Sequence, residues 1–178
     1  MATLAPALRN LFKEIDTRWP TRSHSVDGWN RTWVPGARPS DHHPDSRGIV
    51  HAIDITAAGI LPGTVLALTA RNAVPSAYVI WNRRIYSRSR GFSGITYTGP
   101  HPHTDHLHVS LLYGTTYENW AASWGIANVT PAPSLPREGF GPADPWEYSY
   151  LIDASAKLLP DLATGFAYQA DAINRLRR

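Results

Sequence analysis

The apolar positions of the first twenty residues recur at helical spacing. Leu4, Leu8, Leu11, Phe12 and Ile15 fall on one stripe that Pro20 ends, which predicts a helix over residues 4–19. The period then dissolves. Residues 21–47 are rich in Gly, Pro, Ser and Asp, and predict a structured loop. Residues 49–55 form a short β-branched run bounded by Gly48 and Gly59, the pattern of a strand. Alternation along it sets Val50, Ala52 and Asp54 on one face and His51, Ile53 and Ile55 on the other. A helix opening on a proline is expected over residues 62–72. Strands at 77–81 and 84–87 are close enough to be a hairpin turning at Asn82-Arg83. Residues 91–102 predict a loop, and 107–112 a last strand.

The order helix, loop, strand, helix and then three strands describes an α+β domain: a small antiparallel sheet flanked by helices. We expect it to occupy residues 1–128. Residues 129–145 follow as a proline-rich linker through Thr130-Pro131-Ala132-Pro133-Ser134-Leu135-Pro136. Residues 146–178 have a helix-like pattern, broken by Pro160, and end on Arg175, Arg177 and Arg178. No internal repeat is present.

Composition narrows the chemistry more than the class. With 43% apolar residues and seven Trp, the chain can build a core. It has no cysteine, so a metal site must draw on His and carboxylate. The net charge is +3, too small to select an anionic partner. Arg83, Arg84, Arg88 and Arg90 lie among aromatics, a pattern more often found on a solvated hairpin, and we expect no nucleic-acid partner. No stretch approaches the ~20 apolar residues of a membrane span. The N-terminus lacks a charged start followed by an apolar core, so no export signal is expected.

Seven of the eight histidines fall in two clusters: His42, His43 and His51, then His101, His103, His106 and His108. A zinc ion needs several imidazoles or carboxylates converging at ~2.0–2.2 Å. In His106-Leu107-His108 the two imidazoles share one strand face. Asp54 sits in an otherwise apolar run, where a buried charge must be paired or ligated. Each residue alone has a plainer reading, as a cap, an ion-pair partner or a surface histidine. Together, with Ser40-Asp41-His42 before one strand and Asp105-His106-Leu107-His108 opening another, they point to a metal site.

In these residues the chain resembles the zinc metallopeptidases related to D-alanyl-D-alanine carboxypeptidases and murein endopeptidases, whose fold is shared with the Hedgehog signalling domain. Ser40, His42, Gly48, Ala52 and Asp54 match the first motif in order, and Asp105, His106 and His108 the second. The likeness is greatest to lysins of actinobacterial phages and bacteria, and runs roughly from residue 8 to 113. Two departures stand out. His42 and Asp54 are twelve residues apart, longer than the family spacing, so residues 44–47 must be a loop insertion. His43 also replaces the family's Asn. Asp45 is the alternative ligand, although its Pro-Asp-Ser context suits a turn.

The resemblance implies His42, Asp54 and His108 as zinc ligands, with Asp105 as catalytic acid and His106 beside the reacting centre. Ser40 would hold the His42 loop, and Arg38 or Arg84 would meet substrate. Trp81, Tyr86 and Tyr97 could line a peptide groove or simply pack in the core. The implied activity is hydrolysis of stem or cross-link peptides of bacterial peptidoglycan. The implied setting is a phage lysin that reaches the wall from the host cytoplasm on lysis, or one associated with the virion. In the second case the C-terminal tail would meet tail or other virion subunits. A non-catalytic zinc-binding module of a virion is the alternative.

Overall fold

Pro6 decides where the first helix begins, because its fixed φ and missing N–H suit the first helical position. α1 spans Pro6–Arg18. Leu4, read from the pattern as part of that helix, lies instead in β1 (Thr3–Leu4), paired in parallel with β2 (Ile49–Val50). The computed structural model describes residues 1–36 and 39–127. Arg38, the linker and the C-terminal tail lie outside the described residues.

The strand expected over residues 49–55 is two strands. Val50 pairs with Leu4, whereas β3 (Ala52–Thr56) pairs antiparallel with β7 (His106–Leu111). His51 separates them, its N–H going to the Asp41 carbonyl and its own carbonyl accepting from Leu111 N–H. That break overturns one expectation. Val50 does not share the face of Ala52 and Asp54 but joins Ile53 and Ile55 in the apolar core. Within β3 the alternation holds.

α2 (Pro62–Thr69) ends three residues earlier than expected, and then comes a hairpin of β4 (Ser76–Trp81) and β5 (Arg84–Ser87). Asn82 and Arg83 both have left-handed φ values, 45° and 63°, as a two-residue turn with the twist of its strands requires. A single 3₁₀ turn, Arg88–Arg90, follows. Here Arg88 donates to the Ser76, Asn72 and Val74 carbonyls, so part of the arginine run clips the hairpin to the turn before β4. The region expected to be all loop contains β6 (Gly94–Thr96), paired with β5. The last helix among the described residues is the short α3 (Thr115–Glu118).

The main sheet is five-stranded and antiparallel, in the order β3-β7-β4-β5-β6. One face carries Ile53, Ile55, Leu107, Val109, Leu111 and Val79 into the core, against Leu8, Leu11 and Ile15 of α1. Burying each such side chain contributes roughly 1.5–3 kcal/mol, so this layer is the main stabilising term. Trp124 closes the layer from beyond the last strand, fully buried, its indole N–H donating to the Ala7 carbonyl. The opposite face of the sheet is polar where β3 and β7 meet. All of this belongs to one compact unit, Met1–Val129. No helix among the described residues is long and apolar enough to cross a membrane.

Candidate metal centre

Antiparallel register brings the site together. Asp54 and His108 are direct partners across β3 and β7, and Thr56 pairs with His106 one step along the same face. The loop before β2 delivers the third group. Gly28 forms an isolated bridge with Asp54, extending the sheet past β3, and Arg31 N–H donates to the His42 carbonyl.

His42 Nε2, Asp54 Oδ1 and His108 Nδ1 then lie 3.2, 3.1 and 2.9 Å from one another. Ligands on a tetrahedral zinc at ~2.0–2.1 Å lie about 3.3 Å apart, so the triangle needs only slight opening. All three residues are buried.

The tautomers follow from the groups behind the rings. Trp29 offers His42 Nδ1 a carbonyl, which can only accept, so Nδ1 carries the proton and Nε2 presents a lone pair. Ser110 Oγ gives its one hydrogen to the Asp41 carboxylate at 2.7 Å. It must therefore accept from His108 Nε2–H at 3.0 Å, which leaves Nδ1 as the inward lone pair. Two imidazole lone pairs and a carboxylate oxygen thus face one point with no hydrogen between them. Such a buried arrangement calls for a cation. Backing each ring with an outward acceptor is how metal-ligating histidines are held.

The charge states agree. Burial alone would raise the Asp54 carboxyl, but its close approach to the His108 and His42 rings holds it well below the usual carboxylate range. Burial pushes His108 down, towards the neutral form a ligand needs. Asp41 is the residue that sequence reasoning passed over. It accepts from Ser110, Tyr78 and Tyr113, with the tyrosine hydroxyls each at 2.8 Å, and so fixes the chain behind His108. Its place beside His42 was the available signal.

The remaining site residues fall unevenly. Ser40 Oγ accepts from His42 N–H at 3.3 Å, so it braces the ligand loop. His106 Nδ1 bonds Asp105 Oδ1 at 2.7 Å, and its Nε2 lies 3.7 Å from Asp54 Oδ1. Asp105 stands behind His106 rather than among the converging groups, with its side chain 67% exposed. The bond to His106 keeps its carboxyl below the ordinary range. Arg84 shares a strand face with Tyr86 and lies on the opposite side of the sheet from His108; its guanidinium bonds the Gly94 carbonyl. Trp81 and Tyr86 pack against the core, whereas Tyr97 meets the His103 ring edge-on at 5.2 Å. The cation beside the cluster is one the sequence did not single out: Arg31 Nη2 is 3.5 Å from Asp54 Oδ2.

Asp45 is a turn residue. Its Oδ1 accepts from the N–H groups of Arg47 and Ile49, and Gly48 turns with a φ of 80°. That loop absorbs the extra residues between His42 and Asp54. A further acidic cluster, Asp45, His51 and Glu118, already holds a cation, because Arg47 pairs with both carboxylates. Comparison of the chain with protein-family models, with curated proteins and with solved structures returned no match.

Proposed function

We propose that this chain is a zinc-dependent peptidase that hydrolyses stem or cross-link peptides of bacterial peptidoglycan, as a phage lysin or a virion-associated enzyme. The observation that carries the metal reading is the meeting of three lone pairs, from His42 Nε2, Asp54 Oδ1 and His108 Nδ1, within 3.2 Å of one another. Three protein ligands are the count of a catalytic zinc site, whereas structural sites are usually closed by four. When bound, zinc supplies a Lewis acid for the scissile carbonyl and lowers the pKa of water towards neutrality. The substrate class rests on the motif resemblance.

The proton chemistry belongs to the Asp105–His106 pair. An ionised carboxylate can only accept, so His106 Nδ1 carries a proton towards Asp105 and Nε2 is left as a base facing the site. His106 would take the proton of the attacking water, and Asp105 would stabilise the imidazolium that results. Arg31, with its side chain 52% exposed, can swing from Asp54 to an anionic group of the substrate.

Metal analysis of the purified chain, paired with digestion of isolated cell walls by wild type and His106→Gln, tests the reading. Stoichiometric zinc with digestion that falls about 10²–10⁴-fold in the variant supports it. Zinc without digestion of any wall would favour the non-catalytic module, and absence of zinc binding would defeat both.

A further inference from the structure

Two histidines beside the triad are built the same way as its members. His103 is buried. Its Nδ1 lies 2.5 Å from the His101 carbonyl, which can only accept, so Nδ1 carries the proton and Nε2 keeps a lone pair. His106 has the matching arrangement with Asp105 behind it. The two rings are 4.8 Å apart, and one donor atom each of His103, His106 and Asp54 lies within 4.8 Å of the others.

The backbone that presents His103 is held firmly in a conformation most residues avoid. Its φ is 51°, in the left-handed region. Asn82 and Arg83, at the tip of the β4–β5 hairpin, donate to the carbonyls of His103 and Pro102, and Ala57 N–H donates to that of Asp105. Hydrogen bonds from two separate turns thus pin the segment over Asp54. Strain maintained in this way is typical of functional positions.

We infer that His103, His106 and Asp54 form a second, weaker divalent-metal site, with the Asp54 carboxylate shared between the two ions. The inference rests on the metal reading of the first triad. Imidazole and carboxylate donors suit zinc, cobalt or manganese. His106 Nε2 stands 3.7 Å from Asp54 Oδ1, wider than the 2.9–3.2 Å separations of the first site, so the side chains must draw in and the second ion binds more weakly. Filling this site takes up the His106 lone pair, the proposed base, so the second ion silences the hydrolase.

The test uses the full chain stripped of metal, titrated with Zn²⁺ by calorimetry and with Mn²⁺ by electron paramagnetic resonance. Wild type should take one tight and one weaker equivalent, and the doubly loaded Mn²⁺ form should show the spectrum of a coupled pair. His103→Asn, whose side chain tolerates the left-handed backbone, and His106→Gln should each lose only the weaker equivalent. A single equivalent in wild type, abolished by His108→Ala, would overturn the second site while leaving the first intact. Two equivalents without magnetic coupling, or retained in both variants, would also overturn it. A rise in wall digestion on loading the second equivalent would overturn the silencing role.

Discussion

His108 Nδ1 lies 2.9 Å from Asp54 Oδ1 because the two residues are direct partners in the β3–β7 ladder. Neither loop closure nor a rotamer change is needed to bring them together; the strand pairing does it. Two of the three proposed ligands therefore sit on paired strands of the main sheet, and only His42 depends on a loop.

That arrangement predicts an order of sensitivity. His108→Ala and Asp54→Ala should lower zinc affinity by more than the ~10–100-fold typical of losing an outer hydrogen-bond partner. Competition with a chelator of known affinity would measure this. Unchanged affinity in either variant would remove that residue from the site.

Behind His108, Ser110→Ala removes the acceptor of Nε2–H and cuts the link to Asp41. We expect a loss of about 10–100-fold in zinc affinity with the fold intact. Asp41→Asn should weaken zinc in the same direction, because Ser110, Tyr78 and Tyr113 all donate to that carboxylate. Circular dichroism would separate a weakened site from a lost fold.

Glu118 gives a pH prediction away from the proposed metal. The Arg47 hydrogen bonds, together with His51 and against burial, lower its carboxyl from 4.5 to about 2. A depressed carboxyl binds fewer protons in the folded state than in the unfolded one. Its contribution is therefore complete above pH ~4.5 and is lost as pH falls towards about 2. Glu118→Gln should flatten that part of the acid-unfolding curve. At neutral pH it should cost about 1–3 kcal/mol, because His51 and the Gly114 N–H lose an ionised acceptor. Thermal melts from pH 2 to 7 would show both effects.

At the β4–β5 turn, Arg83 holds a φ of 63° with an exposed side chain. Arg83→Gly should relieve left-handed strain without disturbing the backbone hydrogen bonds to Pro102 and Tyr97. An increase in stability of roughly 0.5–1 kcal/mol is expected, seen as a melting temperature higher by a few degrees. A decrease would mean that the guanidinium makes a contact of its own.

Much of this could be read along the chain because it is local. The helical stripe of α1, the proline start of α2 and the Asn82-Arg83 hairpin each depend on neighbouring residues. So does the shared face of His106 and His108, since alternation in a strand is a local rule. What escaped notice depends on distant pairing. The break at His51 arises because Val50 answers to Leu4 while Ala52 answers to Ser110. Strand β6 exists because β5 offers it an edge, and nothing in Gly94-Ile95-Thr96 alone demands extended backbone.

The candidate site divides in the same way. The sequence by itself determined which donors the protein owns: imidazoles and carboxylates without a thiolate, clustered around residues 42 and 106–108. It also set Asp54 within an apolar run, where an isolated charge is unfavourable. Only the tertiary structure decided which donors converge and which nitrogen of each ring faces inward. It set Arg31 rather than Arg84 beside Asp54, and moved Asp105 behind His106. Those outcomes follow from register between strands more than fifty residues apart, and from acceptors such as the Trp29 carbonyl and Asp41 that come near the rings only when the chain folds.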